Sequence, residues 1–433
     1  MKKIFTCFLV AALMMMSGIN TSSAMTYDES YEKIKNYYEN KELLESVDHI
    51  LTCESLGVES DDKHLDDDIF STDYTSNIAK SIIAMVLHND DPRNYKGVNY
   101  IELLENRVHN DGAVYLDGEY NFDANYQVYS VYALYAIGSS KLDLAADYLS
   151  TMAMDNGAFG FTYGVRYEDV ATTGWVIDAL SLINKEKYNS VIQKAIDYIQ
   201  STQNSEAKYD PFFSGGDACT QSSALLGLMS YDKEGVLSTT YNKGTFNPYK
   251  ALLTFQNDDG TFWSAYNGGV GYYDDYSTVQ GALAVGYYKN GSVYESAKSE
   301  YNDIVNPVTI ITLNQSEVTL IEGKTVELKA SVSPQTANQT IVWNIEDATI
   351  ASIDDNGVVT AIKEGTTTVS VNSKNGLSAK CVIHVVKEEA KENSETLDKN
   401  KAPETSDSFH ILMYVVFMFI SGFVVIRRKA FGR

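Results

Sequence analysis

Carboxylates and tyrosines are the groups in this 433-residue chain whose types and spacing could do chemistry. Acids sit at recurrent positions: Asp123, Glu168, Asp169, Asp274 and Asp275, with a further run Asp66-Asp67-Asp68. No Ser/His/Asp arrangement, Gly-rich phosphate loop or His-Glu-x-x-His helix accompanies them, and no histidine occurs between His109 and His384. The helical core is therefore expected to lack histidine, so acid–base work falls to carboxylates, as in a glycosidase pair or a glycan lyase. Of the 31 tyrosines, all but one precede residue 302. Many stand in loops: Tyr115, Tyr120, Tyr163, Tyr167, Tyr266, Tyr272 and Tyr273, with Tyr126 and Tyr276 just beyond. Amphipathic rings beside acids bind sugars, peptides or cations. The candidate ligand-binding residues are Tyr126, Tyr163, Tyr167, Asp169, Trp175, Trp263, Tyr272, Asp274 and Asp275; no catalytic residue is assigned.

The elements that must position these groups repeat. A turn recurs as Asn110-Asp111-Gly112-Ala113, Asp155-Asn156-Gly157-Ala158 and Asp258-Asp259-Gly260-Thr261. Helix-end pairs recur at Ala84-Met85, Ala133-Leu134, Ala179-Leu180, Gly227-Leu228 and Ala284-Val285, 49, 46, 48 and 57 residues apart. A period of this size means that each unit buries its apolar face only by stacking on its neighbours. The spacing predicts outer helices at 41–56, 98–109, 141–154, 188–203 and 247–257, and inner helices at 74–88, 124–138, 170–184, 217–231 and 275–289. Asp73, Asp123, Asp169, Asp217 and Asp274 precede the inner helices and are N-cap residues first, functional acids second. Two amphipathic segments, Tyr27 to Tyr38 and Val293 to Ile304, are left over and are expected to pair and close the ring.

The Gly turn followed by Asp-x-x-Thr-Thr-Gly-Trp (Asp169 to Trp175) resembles the repeats of the prenyltransferase and squalene-cyclase superfamily over residues 25–305. The resemblance implies an all-α α/α toroid. A protein prenyltransferase needs Asp, Cys and His for zinc; Asp217-Ala218-Cys219 supplies half of that, and no later histidine completes it. A cyclase needs an Asp-x-Asp-Asp acid, which neither Tyr272-Tyr273-Asp274-Asp275 nor Asp66-Asp67-Asp68 reproduces. The reactive Cys-Gly-Glu-Gln of thioester toroids is missing. No metal and no cofactor is expected, although animal cobalamin carriers share this toroid and imply small-molecule capture as an alternative.

Residues 306–386 change to alternating β-branched runs. Leu320, Gly323, Leu328, Pro334, Trp343, Gly357, Val359, Ala361 and Gly365 resemble the framework of the bacterial immunoglobulin-like group 2 domain, an all-β sandwich with Trp343 in its core. Residues 387–401 read as a charged stalk. At the ends, Lys2-Lys3, an apolar run and Ser22-Ser23-Ala24 read as a signal peptide over 1–24. Over 402–433, Pro403-Glu404-Thr405, the uncharged run Phe409 to Ile426 and Arg427-Arg428-Lys429 resemble a sortase sorting signal and transmembrane helix, with Ala402 and Ser406 where Leu and Gly are usual. The net charge of −24 excludes nucleic acid as a partner. Together these imply an exported protein on the cell wall or the outer face of the plasma membrane of a Gram-positive-type bacterium, handled by sortase, membrane-held at its C-terminus, and binding a small molecule, glycan or surface ligand. A carboxylate-based glycan-active enzyme or a degenerate terpene cyclase is the alternative.

Overall fold

A computed structural model describes residues 25–66, 68–116, 123–209, 216–264 and 272–388. The signal segment, most of the stalk, Pro403, Thr405 and the C-terminal apolar run lie outside these residues. None of the described helices is long and apolar enough to cross a membrane.

Twelve described helices precede residue 306: α1 (Tyr27–Glu39), α2 (Val47–Ser55), α3 (Thr75–Leu87), α4 (Tyr100–Glu105), α5 (Ala124–Ala136), α6 (Leu142–Thr151), α7 (Val170–Asn184), α8 (Asn189–Ser201), α9 (Ala218–Leu237), α10 (Pro248–Leu253), α11 (Asp275–Asn290) and α12 (Val293–Val305). Helices α2, α3, α5, α7, α9 and α11 pack in that order, and α11 returns to α2. They form the inner ring. Outer helices are amphipathic: α8 buries Ile192, Ala195, Ile196 and Ile199 on one stripe, each isoleucine contributing roughly 1.5–3 kcal/mol. Ile199→Asp would break that stripe. Inner helices approach closely where glycine permits it. A Cβ on Gly174 would lie 2.1 Å from the Ser223 carbonyl oxygen, and one on Gly227 2.4 Å from that of Gly174.

A buried polar clamp, unseen in the sequence, fixes each turn to its inner helix. Four residues after the aspartate that begins each helix stands Gln127, Thr173, Gln221 or Thr278. Their side-chain oxygens accept the backbone N–H of Val114 (2.9 Å), Phe159 (2.9 Å), Tyr209 (3.0 Å) and Phe262 (3.1 Å) respectively. Val114, Phe159, Tyr209 and Phe262 each bridge an antiparallel partner (Val108, Asp169, Gln203 and Gln256 respectively), and the side chain takes the buried N–H that this bridge leaves unpaired. The turn residue itself has positive φ: Gly112, Gly157, Gly260 and, in the fourth repeat, Ala207 at 62°.

Two expectations fail here. Residues 41–56 were expected to contain an outer helix, but α2 is an inner one: His49, Ile50, Leu51, Thr52, Cys53 and Ser55 are buried, because neighbours lie all around it. An irregular crossover through residues 56–74 replaces the missing outer helix and pairs β2 (His64–Leu65) with β1 (Leu43–Leu44). The segments 27–38 and 293–304 also do not form a split pair. Helix α1 alone takes the outer position between α11 and α2, with the Gly260 turn against Lys33. Helix α12 leans across α2, α3 and α5 instead. Its N-terminal Tyr294 stacks on Tyr132 of α5, centroids 3.6 Å apart and planes at 8°.

Beyond Asn306 follows a β-sandwich. Strands β11 (Ile341–Ile345), β14 (Gly365–Ser373), β15 (Ser378–Val386) and β8 (Glu317–Ile321) form one sheet, with β15 and β8 parallel. Strands β12 (Ala351–Ile353), β13 (Val358–Ala361) and β9 (Thr325–Glu327) form another, and β7 (Ile310–Leu313) pairs with β10 (Ala330–Ser333). Leu328, Val359, Val369 and Ile383 build the core; Trp343, expected inside it, is half-buried and packs against it over Gly357. Cys53, Cys219 and Cys381 are free thiols.

Candidate functional site

Two hairpins and the starts of the inner helices share one end of the ring. Hairpin β3 (Phe159–Tyr163) with β4 (Val165–Asp169) leads into α7, and β5 (Trp263–Ser264) with β6 (Tyr272–Tyr273) leads into α11. Three aspartates do cap: Asp169, Asp217 and Asp274 accept the N–H of Thr172 (2.7 Å), Thr220 (2.8 Å) and Ser277 (3.0 Å). Asp123 instead reaches the neighbouring hairpin, accepting the N–H and hydroxyl of Thr162, both at 2.8 Å. These carboxylates are engaged, which leaves them poorly placed as an acid–base pair.

The ring does contain a buried histidine, against expectation. His49 is wholly buried in α2; its Nδ1 accepts the Glu45 N–H at 3.1 Å. The proton therefore sits on Nε2, which faces both oxygens of Asp275 at 3.1 and 3.0 Å. Asp275 is thus held on the rim between α11 and α2. The residue escaped notice because its segment reads as an outer helix.

Inside the ring, side chains one turn apart share the lumen face. At the waist the Lys80 ammonium meets both Asp48 oxygens at 3.1 Å and lies 4.4 Å from the Tyr129 ring centroid. Burial pulls this ammonium down, but Tyr129 and Asp48 outweigh it and the net shift is upward, so Lys80 stays charged. Burial pushes the Tyr129 phenol up to about 12. Trp175 tilts against Tyr129 at 5.6 Å. Tyr276 and the Cys219 thiol, pushed well up by burial, complete this level. Tyr276, on the first turn of α11, is 42% exposed as a residue although its phenol is held among these groups. Deeper, the Tyr132 hydroxyl lies 2.8 Å from the Trp175 carbonyl and 2.7 Å from Asp178 Oδ2. Burial raises Asp178 to about 7. Its Oδ1, with Asn125 Oδ1 and Gln280 Oε1, is buried without a hydrogen-bond partner among the described residues. Among the described residues no group of three or more His, Cys, Asp and Glu could hold a metal.

The sequence-derived candidates therefore separate. Trp175 joins the lumen cluster and Asp169 lies at its edge as a cap; Tyr126 is half-buried on the first turn of α5. Tyr163 and Tyr167 stand on the exposed β3–β4 hairpin. Trp263 tilts on Phe255 at 4.9 Å, and the Tyr272 backbone pairs with Ser264. Asp274 caps and Asp275 pairs with His49. Sequence reasoning missed Lys80, Asp48, Tyr129, Tyr132 and Asp178. A lysine or aspartate inside otherwise apolar helical runs (Ile78 to Val86, Trp175 to Leu182) was the available signal. A larger cavity of about 610 Å³ lies away from the lumen, between the ring and the sandwich, lined by Glu54, Asp61, Glu300, Asp303 and Lys374 among others. Its walls carry Lys374–Glu300 and Lys374–Asp303 ion pairs, which run from the sandwich to α12.

Residues 307–383 match the bacterial Ig-like domain (group 2). An uncharacterised protein of Clostridium acetobutylicum is 29% identical over 171 residues, 38% of this chain and 39% of its own length. Lacto-N-biosidase of Bifidobacterium bifidum is 32% identical over 71 residues, 16% of this chain and 6% of that protein. The chain thus spans well under half of either relative. Among solved structures, ent-copalyl diphosphate synthase from Streptomyces platensis is similar at 12% identity and a TM-score of 0.41, over 60% of this chain and 51% of that one. A helical ring followed by a bacterial Ig-like sandwich defines the class.

Proposed function

We propose that the ring is a ligand-capture module displayed at the cell surface on its Ig-like spacer. On this reading the 402–433 segment holds the chain to the wall or membrane of a Gram-positive-type cell, and sortase acts at Thr405. The observation that carries the proposal is the lumen: a charged, aromatic waist at Lys80, Asp48, Tyr129 and Trp175, with unpartnered oxygens of Asn125 and Gln280 on the same faces. Buried acceptors without partners cost about 1–3 kcal/mol each, a cost that a donor-bearing ligand relieves. Adhesion fits the same display. The alternative, a glycan-active or cyclising enzyme, has one observation in its favour: Asp178 can carry a proton near neutral pH. The short likeness to lacto-N-biosidase fits a carbohydrate setting for either reading.

Residues 25–388 applied to a glycan and metabolite array test the choice. Capture without turnover, weakened by Tyr129→Phe at unchanged melting temperature, is the expected result. Chemical conversion of a captured compound, abolished by Asp178→Asn, would replace capture with catalysis.

A further inference from the structure

The β3–β4 hairpin is antiparallel with Phe161 opposite Tyr167, Thr162 opposite Arg166 and Tyr163 opposite Val165. Alternation puts Phe161, Tyr163, Val165 and Tyr167 on one face and Thr162, Arg166 and Glu168 on the other. The polar face is tied down. Thr162 donates twice to Asp123, Arg166 donates to the Met152 carbonyl, and Thr173 clamps Phe159 at the base. The apolar face is left open: Tyr163 is 82% exposed, Val165 61% and Tyr167 37%, with Phe161 stacked behind Tyr167 at 5.7 Å. An exposed aromatic row on a hairpin held from its other face is a binding surface in the making, since apolar side chains left open to water mark interaction sites.

The chemistry of this face narrows its occupant. None of the four residues is an acid or a base of the Asp, Glu, Lys or Arg type, and Arg166, the hairpin's cation, is turned away. Asp169, at the base, is spent on Thr172. On this face a polyanion meets no cation and an overall charge of −24, and a polycation meets no described carboxylate but the capping Asp169, Glu168 lying on the other face. Phenol rings offer flat apolar faces with a hydroxyl at the edge, which complement C–H faces bordered by hydroxyls. Tyr163 and the Phe161–Tyr167 pair lie two residues apart along the hairpin, about 7 Å, so neighbouring units of a chain can rest on each. Resting on the ligand-capture reading, we propose that this face binds a neutral hexose oligosaccharide.

The test applies the full-length protein to cellohexaose, mannohexaose and maltohexaose, with hexagalacturonate and hexalysine as charged probes, by calorimetry. At least one neutral hexaose should bind. Tyr163→Ala and Tyr167→Ala should each weaken it about tenfold or more, Tyr167→Trp should retain it, and Phe246→Ala, a distant exposed aromatic, should not change it. The melting temperature should stay unchanged in every variant. Neutral-glycan binding that ignores both tyrosines but is lost in Tyr129→Phe would move the site to the lumen, overturning this inference and leaving capture intact. Preference for either charged probe would overturn the ligand class. Failure of all five probes would overturn the inference alone if the wider array yields another ligand, and the capture reading with it if the array yields none.

Discussion

Replacing Gln221 by alanine should unfold the ring well before it affects the sandwich. Gln221 is wholly buried, and its amide makes three bonds at once. It accepts from the Tyr209 N–H at 3.0 Å and donates to the carbonyls of Ala207 at 3.3 Å and Pro248 at 2.7 Å. At roughly 1 kcal/mol net per bond, and with buried backbone partners left unmatched, the loss comes to about 3–4 kcal/mol. For a domain of this size that lowers the midpoint by at least about 5 °C. Threonine offers an internal comparison, because Thr173 and Thr278 serve Phe159 and Phe262 in the same way at 2.9 and 3.1 Å. Gln221→Thr can still answer Tyr209 but cannot span to Pro248, and should recover about 1 kcal/mol relative to alanine. Thermal and urea unfolding of residues 25–388, followed by far-UV circular dichroism, measure both. A cost below about 1 kcal/mol for Gln221→Ala, or threonine no better than alanine, would refute the clamp as the device that fixes the turns.

Other expectations concern single groups. Ala207 holds φ at 62° where sibling turns have glycine, so Ala207→Gly should stabilise by about 1 kcal/mol in the same melts; destabilisation would show the strain to be absorbed. Asp178 is raised by burial from 3.8 to about 7, so the folded state binds the extra proton between these values. Its ionisation opposes folding, and stability falls as pH rises from about 4 to about 7, by as much as about 4 kcal/mol; Asp178→Asn should flatten that slope in unfolding curves from pH 4 to pH 8, and an unchanged slope would assign it elsewhere. Thr405→Ala should move the protein from a fraction released by wall-digesting enzymes to one released by detergent; detergent release of the unaltered chain would leave membrane anchoring alone.

The ring of paired helices was legible because its units repeat: apolar spacing, Gly turns and Ala-Leu helix ends are local signals that recur. The Ig-like domain was legible for the same kind of reason, through alternating strands between fixed turn glycines. Asp169, Asp217 and Asp274 were legible as caps because a cap bonds within three residues of itself. The rest depended on distance in sequence. Whether 47–55 is inner or outer turns on the closure of α11 on α2, some 230 residues apart, and no local pattern records it. His49 meets Asp275, Lys80 meets Asp48, and Tyr132 meets Asp178 and Tyr294 for the same reason. The sequence alone determined most of the ring helices and the strands of the sandwich, since those choices are made by neighbours one or two turns away, but it left the β3–β4 and β5–β6 hairpins as loops. The tertiary structure decided which helix faces enclose the lumen and which polar atoms stand unpartnered inside it, because ring closure brings residues together that share no local hydrogen bond.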